Sequence, residues 1–301
     1  MKLVVTGASG FIGALLVDRL WSQNHSLILL SRTPPAEVNV AKKEWLVWRP
    51  GVPGDWEQSL DGADGIVNLA GEPIAAKRWT ETQKEKIRWS RIESTRALVG
   101  AIAKVANKPK FLINASAVGY YGPRGDEPVT EDSPPGSDFL ARVCADWETE
   151  AKKAEAHGVR VVLLRTGIVL DKNKGALAKM VPPFKFFLGG PFGAGNQWLP
   201  WIHVEDEIGL VLFAIENEKA RGAVNATAPN PVTMGEFCRI LGDALNRPSW
   251  ATVPSGVLAL LMGEMSDLLL TGQRAVPQAA LQLGYRFKYP DLLPALRSLR
   301  L

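Results

Sequence analysis

The sequence predicts an α/β fold, a doubly wound parallel sheet followed by a smaller C-terminal lobe that would hold the substrate. Residues 3–5 form a short apolar run typical of a buried parallel strand, and apolar residues then recur at helical spacing as far as Leu20. Further short apolar runs follow through residue 166, with helical patterns between them. This alternation is typical of a Rossmann-type sheet.

Glycines separate the first strand from the first helix. Gly7, Gly10 and Gly13 follow the strand at intervals of three. Glycine lets the backbone turn tightly and lets a pyrophosphate approach closely, while the helix N-terminus offers free N–H groups and a positive dipole end. The order strand, glycine turn, helix therefore predicts a dinucleotide site.

The next two strands suggest which dinucleotide binds. Residues 26–30 are apolar, and Ser31 and Arg32 follow directly, at a position where NAD sites place an acid for the ribose 2′-hydroxyl. A hydroxyl and a guanidinium favour a 2′-phosphate, so we expect NADP as the cofactor. After a third apolar run, Leu69 and Ala70 would lie beside its adenosine half.

Composition narrows the partners and the compartment. The formal charge is +4 and no basic cluster dominates, so nucleic-acid binding is not expected. The first strand begins too early for a signal peptide, and Cys144 and Cys238 provide no disulfide framework. We expect a cytoplasmic protein without a transmembrane segment; the alternative is the plastid stroma, since a removed transit peptide would leave no trace.

Several motifs resemble the extended short-chain dehydrogenase/reductase superfamily. The glycine turn, N-L-A-G, N-A-S-A-V-G-Y-Y-G, L-R-T-G-I-V-L and W-I-H-V-E-D occur in that superfamily's order. W-S-R-I-E-S-T, G-G-P-F-G-A-G and W-L-P-W-I-H-V resemble more closely its atypical branch, the NAD-dependent epimerase/dehydratase-like family, often described as similar to the cell-division inhibitor SulA. The resemblance covers nearly the whole chain.

The resemblance implies a set of cofactor contacts. The residues that would cradle the pyrophosphate are Gly7, Ser9, Gly10, Phe11, Ile12 and Gly13. Ser31 and Arg32 would hold the 2′-phosphate, and Arg91 occupies a helix position where the family often has a cofactor-contacting Asn. Glu85, one to two turns earlier, is a further candidate.

The catalytic residues of the superfamily are only partly present. Its Ser bonds the substrate oxygen, its Tyr shuttles a proton, and a Lys four residues later lowers the Tyr pKa. Ser116 lies at or within one residue of the serine position, because the doubled Tyr120–Tyr121 leaves the alignment open. None of the four tyrosines has Lys four residues on. Within a helix expected over residues 138–157, the missing pair aligns with Leu140 and Cys144, which cannot replace it.

Three interpretations of the missing pair stay open. The protein uses another acid, for which Tyr120 with Arg124 at the same spacing is the candidate; or its reaction needs less acid–base help; or it binds NADP without turnover. The corresponding functions are an NADP(H)-dependent oxidoreductase or epimerase acting on a small molecule such as a nucleotide-sugar, or an NADP(H)-binding pseudoenzyme that regulates cell or plastid division. A purely structural protein without cofactor is the third.

The second half of the sequence is expected to form the substrate lobe. We assign residues 1–170 to the nucleotide domain, with 200–226 returning to it, and 171–301 mainly to the lobe. His203 has Glu205 and Asp206 beside it but no second His or Cys nearby, so we predict a structural histidine and no metal site.

Capping boxes are predicted at Thr80 and Thr233. A strand is predicted over residues 250–253. An apolar helix is predicted over 257–270, and we expect it to pack on the lobe or on a second subunit. Residues 291–301 predict an amphipathic helix, for packing or for membrane-surface contact.

Overall fold

The computed structural model describes residues 1–35 and 41–301 and confirms the α/β fold. A seven-stranded parallel sheet has the order β11-β7-β5-β4-β1-β2-β3. Its strands are β1 (Lys2–Thr6), β2 (Ser26–Ser31), β3 (Lys43–Val47), β4 (Gly65–Asn68), β5 (Phe111–Ala117), β7 (Arg160–Thr166) and β11 (Gly222–Ala226). Shorter strands pair outside it: β6 (Pro128–Val129), β8 (Ile168–Leu170), β9 (Trp198–Leu199), β10 (Trp201–His203), β12 (Val232–Thr233) and β13 (Arg274–Ala275).

Helices cover both faces of the large sheet and build the lobe. They are α1 (Phe11–Ser22), α2 (Asp55–Ser59), α3 (Glu81–Lys104), α4 (Phe139–Lys152), α5 (Gly175–Lys185), α6 (Val204–Glu216), α7 (Met234–Leu245), α8 (Ser255–Met262), α9 (Asp267–Leu270), α10 (Gln278–Gln282) and α11 (Leu292–Ser298). Three 3₁₀ helices are Val118–Tyr121, Lys153–His157 and Gly263–Ser266. On one face α1 and α6 pack through Leu16 and Ile208; on the other α3 packs through Leu98.

A third apolar cluster forms the lobe around Trp201 and Phe237. Helix α11 belongs to it, because Leu292 and Leu296 are buried there. Its apolar face is therefore covered by the protein's own core, which leaves the packing alternative for the C-terminal helix and no face for a membrane. Within the described ranges, no helix combines the length and apolarity that crossing a bilayer requires.

Some local predictions were wrong. Residues 250–253 form no strand; Val253 makes only an isolated bridge to Phe192, because no neighbouring segment extends the ladder. Thr80 caps α3 by accepting from the Gln83 N–H, but the Gln83 side chain returns no bond, so the capping box is half formed. The box at Thr233 is complete. Residues 36–40, between β2 and β3, lie outside the described residues.

Candidate active site at the carboxyl edge of the sheet

Three predicted cofactor segments meet at one edge of the sheet. In the parallel register, Thr6 lies between Leu30 and Asn68 at the carboxyl ends of β2 and β4. The glycine turn, Ser31–Arg32 and Leu69–Ala70 each begin directly after these residues. They are thus neighbours in space, although the sequence separates them by about sixty residues. Ligands of open α/β sheets bind at this edge.

The glycine turn leaves no room for side chains. Gly7 has φ +66°, and a Cβ there would lie 2.5 Å from the Leu69 carbonyl oxygen. A Cβ on Gly13 would lie 2.1 Å from the Gly7 oxygen. Gly10 caps α1 without a side-chain bond, and the first turn of α1 contains no acidic residue. This bare backbone, leading into a helix N-terminus, fits a pyrophosphate.

Ser31 and Arg32 lie at the end of β2. The Ser31 hydroxyl accepts from the Thr33 N–H at 3.3 Å. Arg32 is exposed and bonds no side chain or carbonyl of the described residues. An unpaired guanidinium beside a hydroxyl can receive a phosphate without first breaking an ion pair.

A buried polar cluster, absent from the sequence predictions, supports the end of β4. Thr6 Oγ1 donates to Asn68 Oδ1 at 2.6 Å, and Asn68 Nδ2 donates to Asn114 Oδ1 at 2.6 Å and to Thr95 Oγ1 at 2.9 Å. These side chains are at most 1% exposed. They link β1, β4, β5 and α3 through side-chain hydrogen bonds next to Leu69.

Arg91 and Glu85 both lie on α3 but in different surroundings. Arg91 Nη1 donates to the Glu72 and Ile87 carbonyls, each at 3.0 Å, and its guanidinium lies over the Trp147 ring. Arg91 therefore supports the loop that follows β4. Glu85 is exposed and bonds none of the described residues.

A cleft of about 260 Å³ lies farther along the same edge, against the lobe. The nucleotide half contributes Ala117, Leu140 and the turn at Gly167. The lobe contributes Gln197, Trp198, Met234 and the segment from Glu264 to Gln273. The cleft thus adjoins the end of β5 and the first turn of α4, where the resemblance places the catalytic groups, and it also reaches the end of β7 at Thr166.

Ser116 faces away from the cleft. Its hydroxyl donates to Glu148 Oε1 at 2.7 Å, and Glu148 forms a bidentate pair with Arg165 at 2.8 and 2.9 Å. Both charged side chains are at most 4% exposed. Strand residues alternate between faces, so the next residue, Ala117, lines the cleft instead. The Ser116 hydroxyl is engaged in the buried ion pair.

The two tyrosines pack around the same arginine. Tyr121 is fully buried, donates to Asn225 Oδ1 at 2.6 Å and accepts from Arg165 Nη1 at 3.0 Å. Burial, partly opposed by Arg165, raises the pKa of Tyr121 to about 12. Tyr120 stacks under the Arg165 guanidinium, 3.5 Å from its ring centre, and is not among the cleft residues. Arg124 bonds the Tyr121 and Pro134 carbonyls.

The helix that would carry the Tyr–Lys pair is α4. Leu140, in its first turn, lines the cleft. Cys144, one turn later, is buried, and this burial raises the pKa of its thiol to about 12. At neutral pH Cys144 is therefore an uncharged thiol. The two positions that align with the Tyr–Lys pair are therefore occupied by an apolar side chain in the cleft wall and by an un-ionised thiol.

Thr166 and Glu207 form a second pair that sequence reasoning missed. Thr166 ends β7 and lines the cleft, and its hydroxyl lies 2.8 Å from Glu207 Oε1. Glu207 is 1% exposed, and its Oε2 bonds none of the described residues. Burial raises the pKa of Glu207 to about 8, so the carboxyl holds its proton at neutral pH. Glu207 directly follows Glu205 and Asp206, the acidic pair considered in the sequence, and only the fold brings it to Thr166.

His203 has a local structural role. Its Nδ1 caps α6 by accepting from the Glu205 N–H at 3.1 Å, and its Nε2 lies 3.2 Å from Ser298 Oγ. Its ring stacks on Tyr289, and burial lowers its pKa. Across residues 1–35 and 41–301, His, Cys, Asp and Glu side chains form no group that could hold a metal.

Sequence comparison places the chain in a known family. The NAD dependent epimerase/dehydratase family matches residues 3–226, and a domain of unknown function, DUF1731, matches residues 253–299. The chain therefore belongs to the NAD dependent epimerase/dehydratase family.

Two relatives match this chain over nearly its whole length. The chloroplastic epimerase family protein SDR39U1 homolog of Arabidopsis thaliana is 44% identical and covers 99% of this chain and 86% of its own. Epimerase family protein YfhF of Bacillus subtilis is 43% identical over 99% and 98% of the two chains.

Solved structures agree with the fold and with the expected cofactor. Human epimerase family protein SDR39U1, crystallised with NADPH, superposes with a TM-score of 0.88 at 34% identity, covering 99% of both chains. A nucleoside-diphosphate sugar epimerase from Corynebacterium glutamicum has a TM-score of 0.80 at 34% identity, over 99% of this chain and 58% of that one. The NADP prediction thus matches the ligand of a similar protein.

Proposed function

We propose that the protein is an NADP(H)-dependent oxidoreductase of the epimerase family that acts on a small molecule without the Tyr–Lys pair. The observation that carries this proposal is the cleft of about 260 Å³ that adjoins the ends of β5 and β7. The cleft lies beyond the segments assigned to the pyrophosphate and the adenosine, and residues far along the chain, such as Gln197 and Gln273, complete its wall, as a substrate pocket requires.

The nucleotide edge would hold NADP(H). In this proposal the residues that hold the pyrophosphate are Gly7, Ser9, Gly10, Phe11, Ile12 and Gly13. Ser31 and Arg32 hold the 2′-phosphate, and Leu69 and Ala70 line the adenosine pocket. Arg91 keeps the adjoining loop in place through the Glu72 carbonyl; Glu85 stays a peripheral candidate. The NADPH in the human SDR39U1 crystal supports this assignment.

The proton that the substrate oxygen takes up during reduction must come from a side chain of the protein. When bound, NADPH supplies a hydride to a carbonyl carbon, and the carbonyl oxygen then needs a proton. Thr166 offers a hydroxyl in the cleft wall, backed at 2.8 Å by the protonated Glu207. We assign this pair as the proton donor. The Thr166 hydroxyl, which donates to Glu207 Oε1 in the structure, turns to the substrate oxygen and passes its proton there, and the proton of the neutral Glu207 carboxyl replaces it. Ser116 and Tyr120 remain predicted catalytic residues, but the Ser116 hydroxyl already donates a hydrogen bond to Glu148.

Two assays test the proposal. NADPH should bind tightly and NADH weakly, and NADPH should be oxidised by members of a carbonyl panel. Thr166→Val should lower kcat with little effect on the NADPH Kd, because Val keeps the shape and removes the hydroxyl. Ser133→Ala, outside the cleft, is the matched control. An unchanged kcat in Thr166→Val would remove the pair from the mechanism.

A pseudoenzyme is the second candidate, favoured by Leu140 and Cys144 at the catalytic positions. It would bind NADP(H) and regulate a partner or a second copy, with cell or plastid division as the process that the resemblance implies. The compartment would be the cytoplasm or, as the chloroplastic Arabidopsis relative suggests, the plastid stroma. NADPH binding with no oxidation by any compound of the panel would favour this candidate.

A further inference from the structure

The cleft contains carboxylates and no cationic side chain. Of the described residues that line it, Asp138, Glu264 and Asp267 are acidic, and none is Lys, Arg or His. Lys84 pairs with Glu264 from outside the cleft. Asp267 bonds no described residue through its side chain. The side chains that line the cleft therefore give an anionic ligand no cationic partner.

The guanidinium groups nearest to the cleft already contact other groups of the protein. Arg124 bonds the Tyr121 and Pro134 carbonyls, and Arg274 lies over the Trp198 ring, 4.7 Å from its centre. Arg78 donates to the Leu260 carbonyl. Bringing any of them to a diphosphate would first break these contacts.

Part of the backbone at the cleft is already hydrogen-bonded. Helix α4 begins there, and the Asp138 carboxylate accepts from the Ala141 N–H at 2.9 Å, which places a negative charge at that helix end. The Gly122 and Gly167 N–H groups donate to the Gly119 and Ala226 carbonyls at 3.1 and 3.0 Å. An anion at the N-terminus of α4 would therefore meet the Asp138 carboxylate and not an open helix end.

The remaining wall is apolar and aromatic. Trp79 and Phe139 meet edge to face at 5.4 Å, and Leu140 and Leu268 add aliphatic surface. Uncharged polar groups in the wall come from Thr166, Gln197, Thr271 and Gln273. The Gln273 Nε2 donates to the Val118 carbonyl, and its Oε1 bonds none of the described residues. At about 260 Å³ the cleft is also near the lower end of the range for ligand sites.

We infer that the cleft takes an uncharged, largely apolar carbonyl compound or its alcohol, and that it excludes nucleoside diphosphate sugars. The inference rests on the proposed function, since it names the substrate class of that site. The inference therefore predicts that this chain does not act on nucleoside diphosphate sugars, the substrates named for the similar Corynebacterium glutamicum protein. A diphosphate carries two negative charges and would meet the carboxylates of Asp138 and Asp267, which no cation pairs with among the described residues, and that of Glu264, which pairs only with Lys84.

Calorimetry on the NADPH-saturated full chain tests the inference, because the cofactor blocks nucleotides from the adenosine site. The probes are 1-phenylethanol, benzoate as an anion of similar size, and UDP-glucose. We expect 1-phenylethanol to bind at least about tenfold more tightly than benzoate, and UDP-glucose to give no heat. Asp267→Lys should reduce the ratio of the two affinities by about tenfold. Asp132→Lys, the same charge change at an exposed position outside the cleft, should leave it unaltered.

Every other outcome overturns the inference. It fails if UDP-glucose or benzoate binds as tightly as 1-phenylethanol, or if none of the three binds. 1-Phenylethanol and UDP-glucose are then compared as reductants of NADP⁺, since each is an alcohol that can give up a carbinol hydride and become a carbonyl compound. Reduction of NADP⁺ by UDP-glucose alone would overturn the substrate class and leave the oxidoreductase proposal standing. Binding of 1-phenylethanol without NADPH oxidation by any carbonyl compound would overturn the oxidoreductase proposal and leave the binding class standing.

Discussion

The two halves of the sheet's carboxyl edge differ in how their polar groups are used. At the ends of β1 and β2 the glycine backbone is bare and Arg32 has no partner among the described residues. At the ends of β5 and β7, Ser116, Arg165 and Thr166 all bond other side chains of the protein. Recognition of a dinucleotide can therefore persist while the superfamily's catalytic arrangement is lost, because the two depend on different strands.

The largest effect should come from breaking the buried ion pair behind Ser116. Glu148→Ala leaves Arg165 charged and unpaired in the interior, which should lower the free energy of unfolding by about 3–5 kcal/mol. Urea unfolding measures the loss. Asp146→Ala, on the same helix, removes an exposed pair with Arg88 and should cost under about 1 kcal/mol. Similar losses in the two variants would show that the Glu148 network does not hold this edge.

The next effect is the pH dependence that Glu207 produces. Its folded pKa of about 8 lies above its ordinary value of 4.5, so the folded state favours the proton. The resulting stability is complete below the unfolded pKa and is lost as pH rises towards 8, at roughly 1.4 kcal/mol per pKa unit. Glu207→Gln cannot ionise, so urea unfolding between pH 5 and pH 8 should show a flatter profile than the wild type.

Glu216→Gln, at the exposed end of the same helix, is the control for Glu207. It should leave the pH profile unchanged. A Glu207→Gln profile that follows the wild type would mean that Glu207 ionises normally, and Thr166 would then lack a protonated neighbour.

Arg32→Ala tests whether Arg32 distinguishes NADPH from NADH. Loss of a charge-assisted contact to the 2′-phosphate costs about 1.5–3 kcal/mol, so the preference for NADPH over NADH should fall at least about tenfold. Fluorescence titration of both nucleotides measures it. Arg286→Ala, an exposed change elsewhere, should leave the preference intact. An unaltered preference in Arg32→Ala would assign the discrimination to other residues.

The smallest effect should come from Ser116→Ala. Loss of its bond to Glu148 should lower stability by about 1 kcal/mol and leave the NADPH Kd unchanged. If Ser116 were catalytic, kcat in a carbonyl assay would fall far more than stability does. Comparing kcat with urea unfolding of the same variant separates the two roles.

The nucleotide half could be predicted because its signals are local. Gly7, Gly10 and Gly13 lie within seven residues, and Arg32 follows its strand directly. The direction of Ser116 could not be predicted, since a shift of one residue turns a strand side chain to the other face and the doubled tyrosine left the alignment open. The Thr166–Glu207 contact joins residues 41 apart and carries no motif.

Deuterium transfer tests the central claim most directly, because it reports on both halves of the edge at once. The full chain is incubated with NADPH deuterated at C4 and with acetophenone or a related uncharged ketone, and the alcohol is analysed by mass spectrometry. We expect deuterium at the carbinol carbon, and Thr166→Val should diminish it. NADPH binding with no deuterium in any alcohol product would contradict the account and leave a protein that keeps the cofactor but not the chemistry.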